Sequence, residues 1–290
     1  MITRIVVPLD GSQRCMAAVA PGQVLAAQLD VPLRVLSVVD EGRDPAARQE
    51  ELDSAMHRLG LDDVEVTVVT GSDPAERVLL EVQCDDDALL CMTTHARSVL
   101  TELLLGSVAR AVVDDMWGPV ILAGPRLSVH WDGPIQSLVV CIDQSPESEL
   151  ALDHAIRLGS ELGTRLFLIN VLPDRLRSQA SVVDDGADWV RVPSGMDEVA
   201  VEDDSATVAY RAYLQERAER IAADHGLHAD WDVVTHPHPA TAVIDYADLV
   251  PGAMVVTGTH GRSRVERMVL GSFATAVVRG AGCPVMVVAS

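Results

Sequence analysis

Lysine is missing from this sequence of 290 residues, and all 22 of its basic residues are arginine. A Walker A phosphate loop needs a lysine, and Schiff-base catalysis needs a lysine amine. Both kinds of enzyme are therefore excluded. Aromatic residues are also scarce at 3%, whereas hydrophobic residues, mostly Val, Leu, Ala and Ile, make up 48%. A core of this composition is typical of buried parallel strands covered by helices.

Positive charge is scarce relative to negative charge, and the formal net charge is −21. Because sequence-independent binding to nucleic acid needs clustered basic residues, we expect no nucleic-acid partner. We expect no membrane partner either, since no apolar run reaches the roughly 18 residues that cross a bilayer. The chain begins with a strand pattern and shows no signal-peptide pattern, which predicts a cytoplasmic protein.

Paired cysteines and clustered metal ligands are also lacking. The five cysteines show no C-x2-C spacing, which predicts reduced thiols. Cys91 and Cys141 lie inside apolar runs and are expected in the core. His236 and His238 form an isolated H-x-H pair whose counterpart earlier in the chain, "TGSDPA", has no histidine, so we expect no metal site.

The sequence contains an internal repeat of two similar copies. "RIVVPLDGSQRCMAAVAPGQVLAAQLDVPLRVLSVVD" at 4–40 matches "SLVVCIDQSPESELALDHAIRLGSELGTRLFLINVLP" at 137–173, which places Asp10 on Asp143. Further on, "TGSDPAERVL" at 70–79 matches "THPHPATAVI" at 235–244, and "GPVILAG" at 118–124 matches "CPVMVVA" at 283–289. The second copy carries an acidic insert near 174–206 that lacks a steady apolar period and predicts a loop.

Each copy alternates short β-branched runs with helical patterns, an arrangement that indicates βαβ units and a parallel sheet. The predicted fold is α/β, with two tandem Rossmann-like domains, each a five-stranded parallel sheet of order 3-2-1-4-5 flanked by helices. The domains are predicted at 1–124 and 135–290, joined by a linker that begins and ends with Gly-Pro.

The stretch "GTHGRSRVERMVLGS" at 258–272 is the strongest functional signal. In an open parallel sheet with this strand order, ligands bind outside the carboxyl ends of strands 1 and 4. Asp143 ends strand 1 and can accept hydrogen bonds from a ribose. Gly258 and Gly261 let backbone approach a ligand or adopt a positive φ. Gly271 and Ser272 open a helix whose free N–H groups suit phosphate, and Ser272 is a candidate N-cap.

These motifs resemble the universal stress protein family in a tandem two-domain form, over nearly all of both copies except the insert. The full G-x2-G-x9-G-S spacing is similar to that of the family's ATP-binding members. The resemblance implies that Asp143 contacts adenosine, that backbone around Val171 recognises adenine, and that Cys141 lines the adenine side. It also implies that the remaining residues hold ribose and phosphates, namely Gly258, Gly261, Gly271, Ser272 and Phe273. Arg262 is an added candidate for the phosphates, and the cofactor is expected to be ATP, with or without Mg²⁺.

The first copy departs from the pattern. Asp10, Val38, Gly106 and Ser107 stand at the matching positions, but Thr93 and Ala96 replace the first two glycines. If those positions need a positive φ, a side chain costs about 1–2 kcal/mol. We therefore expect the second domain to hold most of the nucleotide.

The sequence thus predicts an ATP-binding stress-response regulator in which we assign no catalytic residue. Two alternatives stay open: an interaction module of the same fold that binds no nucleotide, and a slow ATPase or nucleotidyl-transfer enzyme. The family resemblance implies that the two domains pair through their fifth strands. A homodimer of the whole chain is left open.

Overall fold

Ten strands and eight α-helices make up the part of the chain that the structure describes. The structure is a computed structural model, and it describes residues 1–83, 87–94, 105–116, 118–129, 131, 133–172, 205–259 and 270–289. The predicted insert lies outside these residues, apart from 205–206, which open a helix.

The first half contains five strands and four helices, in the order β1 (Arg4–Pro8), α1 (Val19–Leu29), β2 (Leu33–Val39), α2 (Pro45–Arg58), β3 (Glu65–Thr70), α3 (Pro74–Gln83), β4 (Ala88–Thr93), α4 (Ser107–Asp115) and β5 (Pro119–Ala123). A short 3-10 helix, Cys15–Ala18, leads directly into α1. The second half repeats the order with β6 (Ser137–Cys141), α5 (Pro146–Leu162), β7 (Arg165–Leu172), α6 (Ser205–His225), β8 (Ala229–Thr235), α7 (Pro239–Leu249), β9 (Ala253–Gly258), α8 (Ser272–Gly280) and β10 (Val285–Val288).

The strands form a single sheet of order β3-β2-β1-β4-β5-β10-β9-β6-β7-β8. Within each half the strands are parallel and follow the predicted order 3-2-1-4-5, which confirms the fold class. Where the halves meet, β5 and β10 pair in the antiparallel sense, with Ile121 opposite Met286. The carboxyl ends of the strands therefore lie at one edge of the sheet in the first half and at the other edge in the second.

Each face of the sheet carries one layer of helices over a core that runs through both halves. One core packs against α1, α2, α5 and α6 and contains, among others, Leu25, Leu52, Leu158 and Leu214. The other packs against α3, α4, α7 and α8 and contains Val82, Val112, Val243 and Val277. Cys91 and Cys141 are buried in these cores, as the apolar runs around them predicted. No helix in the described ranges is both long and apolar enough to cross a bilayer.

Contacts away from the strands also join the halves. The Gln28 side chain of α1 donates to the Ile135 carbonyl at 2.9 Å and accepts from the Ile135 N–H at 2.8 Å. Gly124, just after β5, lies against the carbonyl oxygen of Val278 in α8, in a space that a Cβ would overlap. These contacts hold the segment between the two copies against both of them.

Candidate nucleotide site

Three strand ends meet at the carboxyl edge of the second half. Strand β6 lies between β7 and β9, and its register places Val140 beside Val256. Just beyond β6, the Ile142 N–H donates to the Ile169 carbonyl of β7 at 2.8 Å. Asp143 therefore follows directly where β6, β7 and β9 end, beside the half-buried Val171.

The backbone after β6 forms a tight turn that fixes Asp143. The Ser145 N–H donates to Asp143 Oδ1 at 3.0 Å, and Gln144 between them has a left-handed φ of 66°. Ser145 is also the N-cap of α5, because its Oγ accepts from the Ser148 N–H at 3.1 Å. A side-chain acceptor at this position stabilises the first turn of a helix. The turn thus holds the half-buried Asp143 carboxylate at the strand ends while it starts α5.

Gly258 lies at the end of β9, and a positive φ was one of the two roles predicted for it. Its φ is not positive, so the left-handed conformation is not what requires a glycine there. A Cβ at Gly258 would instead lie 3.0 Å from Glu147 Cβ and the Glu147 carbonyl oxygen, in the first turn of α5. Close packing of the helix against the strand end leaves little room for a side chain at this position.

Thr93, the matching residue of the first half, also has an ordinary φ. The cost of 1–2 kcal/mol that a positive φ would impose on Thr93 therefore does not arise. The helical segment after β1 also begins differently in the first half. There a 3-10 helix, Cys15–Ala18, precedes α1, and Arg14 at its N-cap is exposed. The two crevices differ in local packing as well as in their glycines.

The N-terminus of α8 is tied to the end of β9. The Gly271 N–H donates to the Thr259 carbonyl at 2.7 Å, directly after that strand. The N-cap is Gly271 and not Ser272 as predicted, because Ser272 is the first helical residue and is exposed. Gly271 offers no side-chain acceptor to the N–H groups of the first turn, and such groups with the helix dipole favour an anion. Phe273, one residue further, is half-buried.

Several candidate residues lie outside the described ranges. Gly261 and Arg262 fall within 260–269, and Ala96 falls within 95–104. The described candidates that the structure brings to one edge of the second half are Asp143, Val171, Gly258, Gly271, Ser272 and Phe273.

The first half repeats this geometry at the opposite edge. The Leu9 N–H donates to the Leu36 carbonyl at 2.8 Å, and the Ser12 N–H donates to Asp10 Oδ1 at 2.9 Å. The Gly106 N–H donates to the Thr94 carbonyl at 2.6 Å, with Gly106 as the N-cap of α4. Asp10, Val38, Gly106 and Ser107 thus take the same places as their counterparts.

Two residues at these edges were missed by the sequence reasoning. Asn170 Nδ2 donates to the Ile142 carbonyl at 2.6 Å, and in the first half Ser37 Oγ donates to the Leu9 carbonyl at 2.7 Å. Each supports the backbone immediately before the strand-end aspartate. The signal was available, because each is the one polar residue in the apolar core of its strand, "FLINV" or "VLSVV", at matching positions.

Glu147 is a further missed residue, a carboxylate only 3% exposed beside Gly258. Its place in the first turn of α5 suits a negative charge, because the N-terminus of a helix is the positive end of its dipole. The polar sequence "SPESE" at 145–149 gave no indication that Glu147 is buried, because its burial depends on how α5 packs against β9.

Cys141 contributes a buried thiol below the site. Burial, and to a smaller extent the negative charge of Asp143, raise the pKa of Cys141 to about 12. The thiol is therefore protonated at neutral pH and is a poor nucleophile. His236 follows β8 directly, and its Nδ1 lies 2.8 Å from the His238 carbonyl oxygen and 3.0 Å from the His238 amide nitrogen, so that nitrogen is engaged with the backbone of the local loop.

Comparisons with known proteins agree with this architecture. A family model described as the universal stress protein family matches residues 1–123 and 134–289. Universal stress protein Rv2005c of Mycobacterium tuberculosis is 28% identical over 307 residues, which cover 98% of this chain and 96% of that protein. Universal stress protein YxiE of Bacillus subtilis is 28% identical over 152 residues, which cover 52% of this chain and 97% of that protein. The crystal structure of a universal stress protein from Archaeoglobus fulgidus shares the fold with a TM-score of 0.62 at 18% identity, covering 98% of this chain and 97% of that one.

Proposed function

Since this chain belongs to the universal stress protein family, we propose that it is an ATP-binding regulatory protein whose second domain holds the nucleotide. The observation that carries the proposal is the complete glycine motif. The two ends of the motif, at Gly258 and at Gly271, lie close together, because the Gly271 N–H donates to the Thr259 carbonyl just after β9. Asp143 lies at the same edge of the sheet. A crevice at the carboxyl ends of parallel strands, closed by a helix N-terminus, is the usual place for a nucleotide in an open α/β sheet.

The roles of individual residues follow from this placement. We propose that Asp143 accepts a hydrogen bond from the ribose and that backbone at Val171 and Cys141 borders the adenine. The N-terminus of α8, with Gly271, Ser272 and Phe273, would take the phosphates. Gly258, Gly261 and Arg262 complete the set, and Mg²⁺ would accompany the triphosphate as an ion held mainly by phosphate oxygens.

Nucleotide-dependent regulation and slow turnover are both compatible with such a cradle. We favour regulation, in which the bound nucleotide changes how the protein binds its partners. We propose that this takes place in the cytoplasm and that the two halves act as an intramolecular pair. Slow ATP hydrolysis is the enzymatic alternative. An additional homodimer of the whole chain is part of the same proposal.

A second candidate function is an interaction module that uses the fold without nucleotide. Thr93 favours it for the first half, because a side chain stands where the second half has Gly258. The altered start of the helical segment at Cys15–Ala18 points the same way.

The experiment that tests the proposal counts nucleotide in the purified protein. The protein is denatured, the precipitate is removed, and released adenine nucleotides are identified by chromatography and expressed per chain. The matched variants are Asp143→Ala and Asp10→Ala, because each removes an acceptor from the same kind of turn. We expect Asp143→Ala to lose the nucleotide and Asp10→Ala to keep it.

Other outcomes would change the assignment. Equal losses in both variants would show that the halves share the nucleotide. The absence of nucleotide, with no uptake of ATP on titration, would favour the interaction module.

A further inference from the structure

Arg48 reaches from the helix after β2 to the turn after β1 in the first half. Helix α2 begins at Pro45, where Asp44 caps it by accepting from the Ala46 N–H at 2.9 Å. Arg48 is in the first turn of α2 and so lies near the carboxyl edge, on the side of Val38 and the end of β2. Its side chain is only 15% exposed and forms an ion pair with Glu51 at 3.0 Å.

The Arg48 guanidinium lies directly against Gly11, the middle residue of the turn that follows β1. A Cβ at Gly11 would overlap the Nη1 and Cζ atoms of Arg48, and φ at Gly11 is 77°. The left-handed backbone favours glycine at this position, and the absence of a side chain leaves room for the guanidinium to pack against it. The guanidinium thus lies against the turn that carries Asp10, just beyond the end of β1.

The second half has a different arrangement at the same turn. Gln144 replaces Gly11 there, with a similar φ of 66°, and is exposed. On α6, which follows β7 as α2 follows β2, Arg217 pairs with Glu149 of α5 next to Tyr213. Arg217, well inside α6, is therefore engaged with a helix, whereas Arg48, in the first turn of α2, is engaged with the turn that carries Asp10.

We propose that Arg48 keeps nucleotide out of the first domain by filling the space between Asp10 and Val38. This inference rests on the proposed function, because these two positions match the ones assigned to adenosine in the second domain. The guanidinium is largely buried, pairs with Glu51 and lies against the turn that a nucleoside at Asp10 would have to approach. Arg48 therefore acts as a built-in occupant, and the altered glycines are not the sole reason for a one-nucleotide chain.

The test measures the number of ATP sites per chain by equilibrium dialysis with labelled ATP. The starting variant is Thr93→Gly/Ala96→Gly, which restores the glycine motif of the first half. Arg48→Ala is then added to it, with Arg58→Ala as the matched control, because Arg58 is an exposed arginine in the last turn of the same helix. Circular dichroism verifies that every variant is folded.

We expect the glycine-restored protein and its Arg58→Ala derivative to bind one ATP per chain. We expect the Arg48→Ala derivative to bind a second ATP, which Asp10→Ala removes and Asp143→Ala does not. A second site in the glycine-restored protein that still has Arg48 would overturn the proposal, as would a folded Arg48→Ala derivative that gains none. Loss of a site on removing Arg48 would identify it as a nucleotide ligand and overturn the proposal too.

The proposed function fails in a distinguishable way. If the unaltered chain binds no ATP, the second-domain assignment is wrong. A site that appears only in the Arg48→Ala derivative and depends on Asp10 would still support the role of Arg48.

Discussion

At Gly258 the first turn of α5 lies so close to the end of β9 that an added Cβ would make contacts tighter than ordinary van der Waals packing. The nearest atoms, 3.0 Å from where a Cβ would stand, include the Glu147 backbone carbonyl, which cannot rotate away. Replacement of this glycine acts on packing between a helix and a strand end. Such a replacement is therefore expected to affect the stability of the fold as well as ligand binding.

We expect Gly258→Ala to lower the free energy of unfolding by about 1–3 kcal/mol, the usual cost of overpacking. Gly42→Ala is the control, since Gly42 has no positive φ and no atom within 4 Å of the added Cβ. That change should be neutral or slightly stabilising, because alanine restricts the unfolded chain. Urea denaturation measures both. Equal effects at the two positions would contradict the packing explanation.

Asn170 supports the carbonyl before Asp143 from a site that is 3% exposed. We expect Asn170→Ala to cost about 1–3 kcal/mol, because it leaves the buried Ile142 carbonyl without this donor. Asn170→Ser should recover part of the loss, since Ser37 makes the matching bond in the first half. Thermal unfolding compares the three proteins. Identical midpoints for the alanine and serine variants would argue that the donor has no role.

The titration of a single side chain, His154, makes the free energy of unfolding depend on pH. Burial, followed by the positive charge of Arg157, lowers its pKa below the ordinary value of 6.5. The unfolded chain therefore binds a proton at a pH where folded His154 is neutral, so stability falls as the pH drops below about 6.5. We expect His154→Gln to flatten this part of the stability curve, measured by urea denaturation between pH 7 and 5. An unchanged slope would show that other groups dominate.

Strands and helices were largely predictable, because each is an uninterrupted local pattern. The apolar run "LRVLSVV" at 33–39 coincides with β2, and the helical pattern "SFATAVVRG" at 272–280 coincides with α8. The apolar run "SLVVCID" at 137–143 extends two residues past the end of β6, where the chain leaves the ladder for the turn at Asp143. The packing of one element on another was not predictable from such patterns. The contacts of Arg48 with Gly11 and of Glu147 with Gly258 depend on which helix covers which turn.

At the scale of elements, Gly124 lies where the end of β5 meets α8 of the other half. A Cβ there would overlap the Val278 carbonyl oxygen, which is backbone and is fixed within the helix. We expect Gly124→Ala to destabilise the protein by roughly 1–3 kcal/mol because the join between the halves must move. Gly133→Ala, in the same linker, has open space around it and serves as the control. Similar unfolding midpoints for both variants would contradict a tight contact at Gly124.

At the scale of the whole molecule, the two halves share both cores and one sheet. Ile121 and Met286 are paired across the β5–β10 junction and lie in the same core. We expect one cooperative unfolding transition, because neither half keeps its core closed without the other. Hydrogen exchange followed by mass spectrometry in urea should show peptides of β1 and β6 losing protection together. Separate midpoints for the two peptides would mean that the halves fold as independent units.

The junction of β5 and β10 also fixes the composition of every molecule. Two separate chains that paired in this way would dissociate on dilution and could exchange partners, so their sites would mix at random. Here the partner of each half is covalently attached, and its effective concentration does not depend on the amount of protein. Each molecule therefore carries one crevice with the full glycine motif and one with Thr93, in a fixed ratio that neither dilution nor subunit exchange can alter.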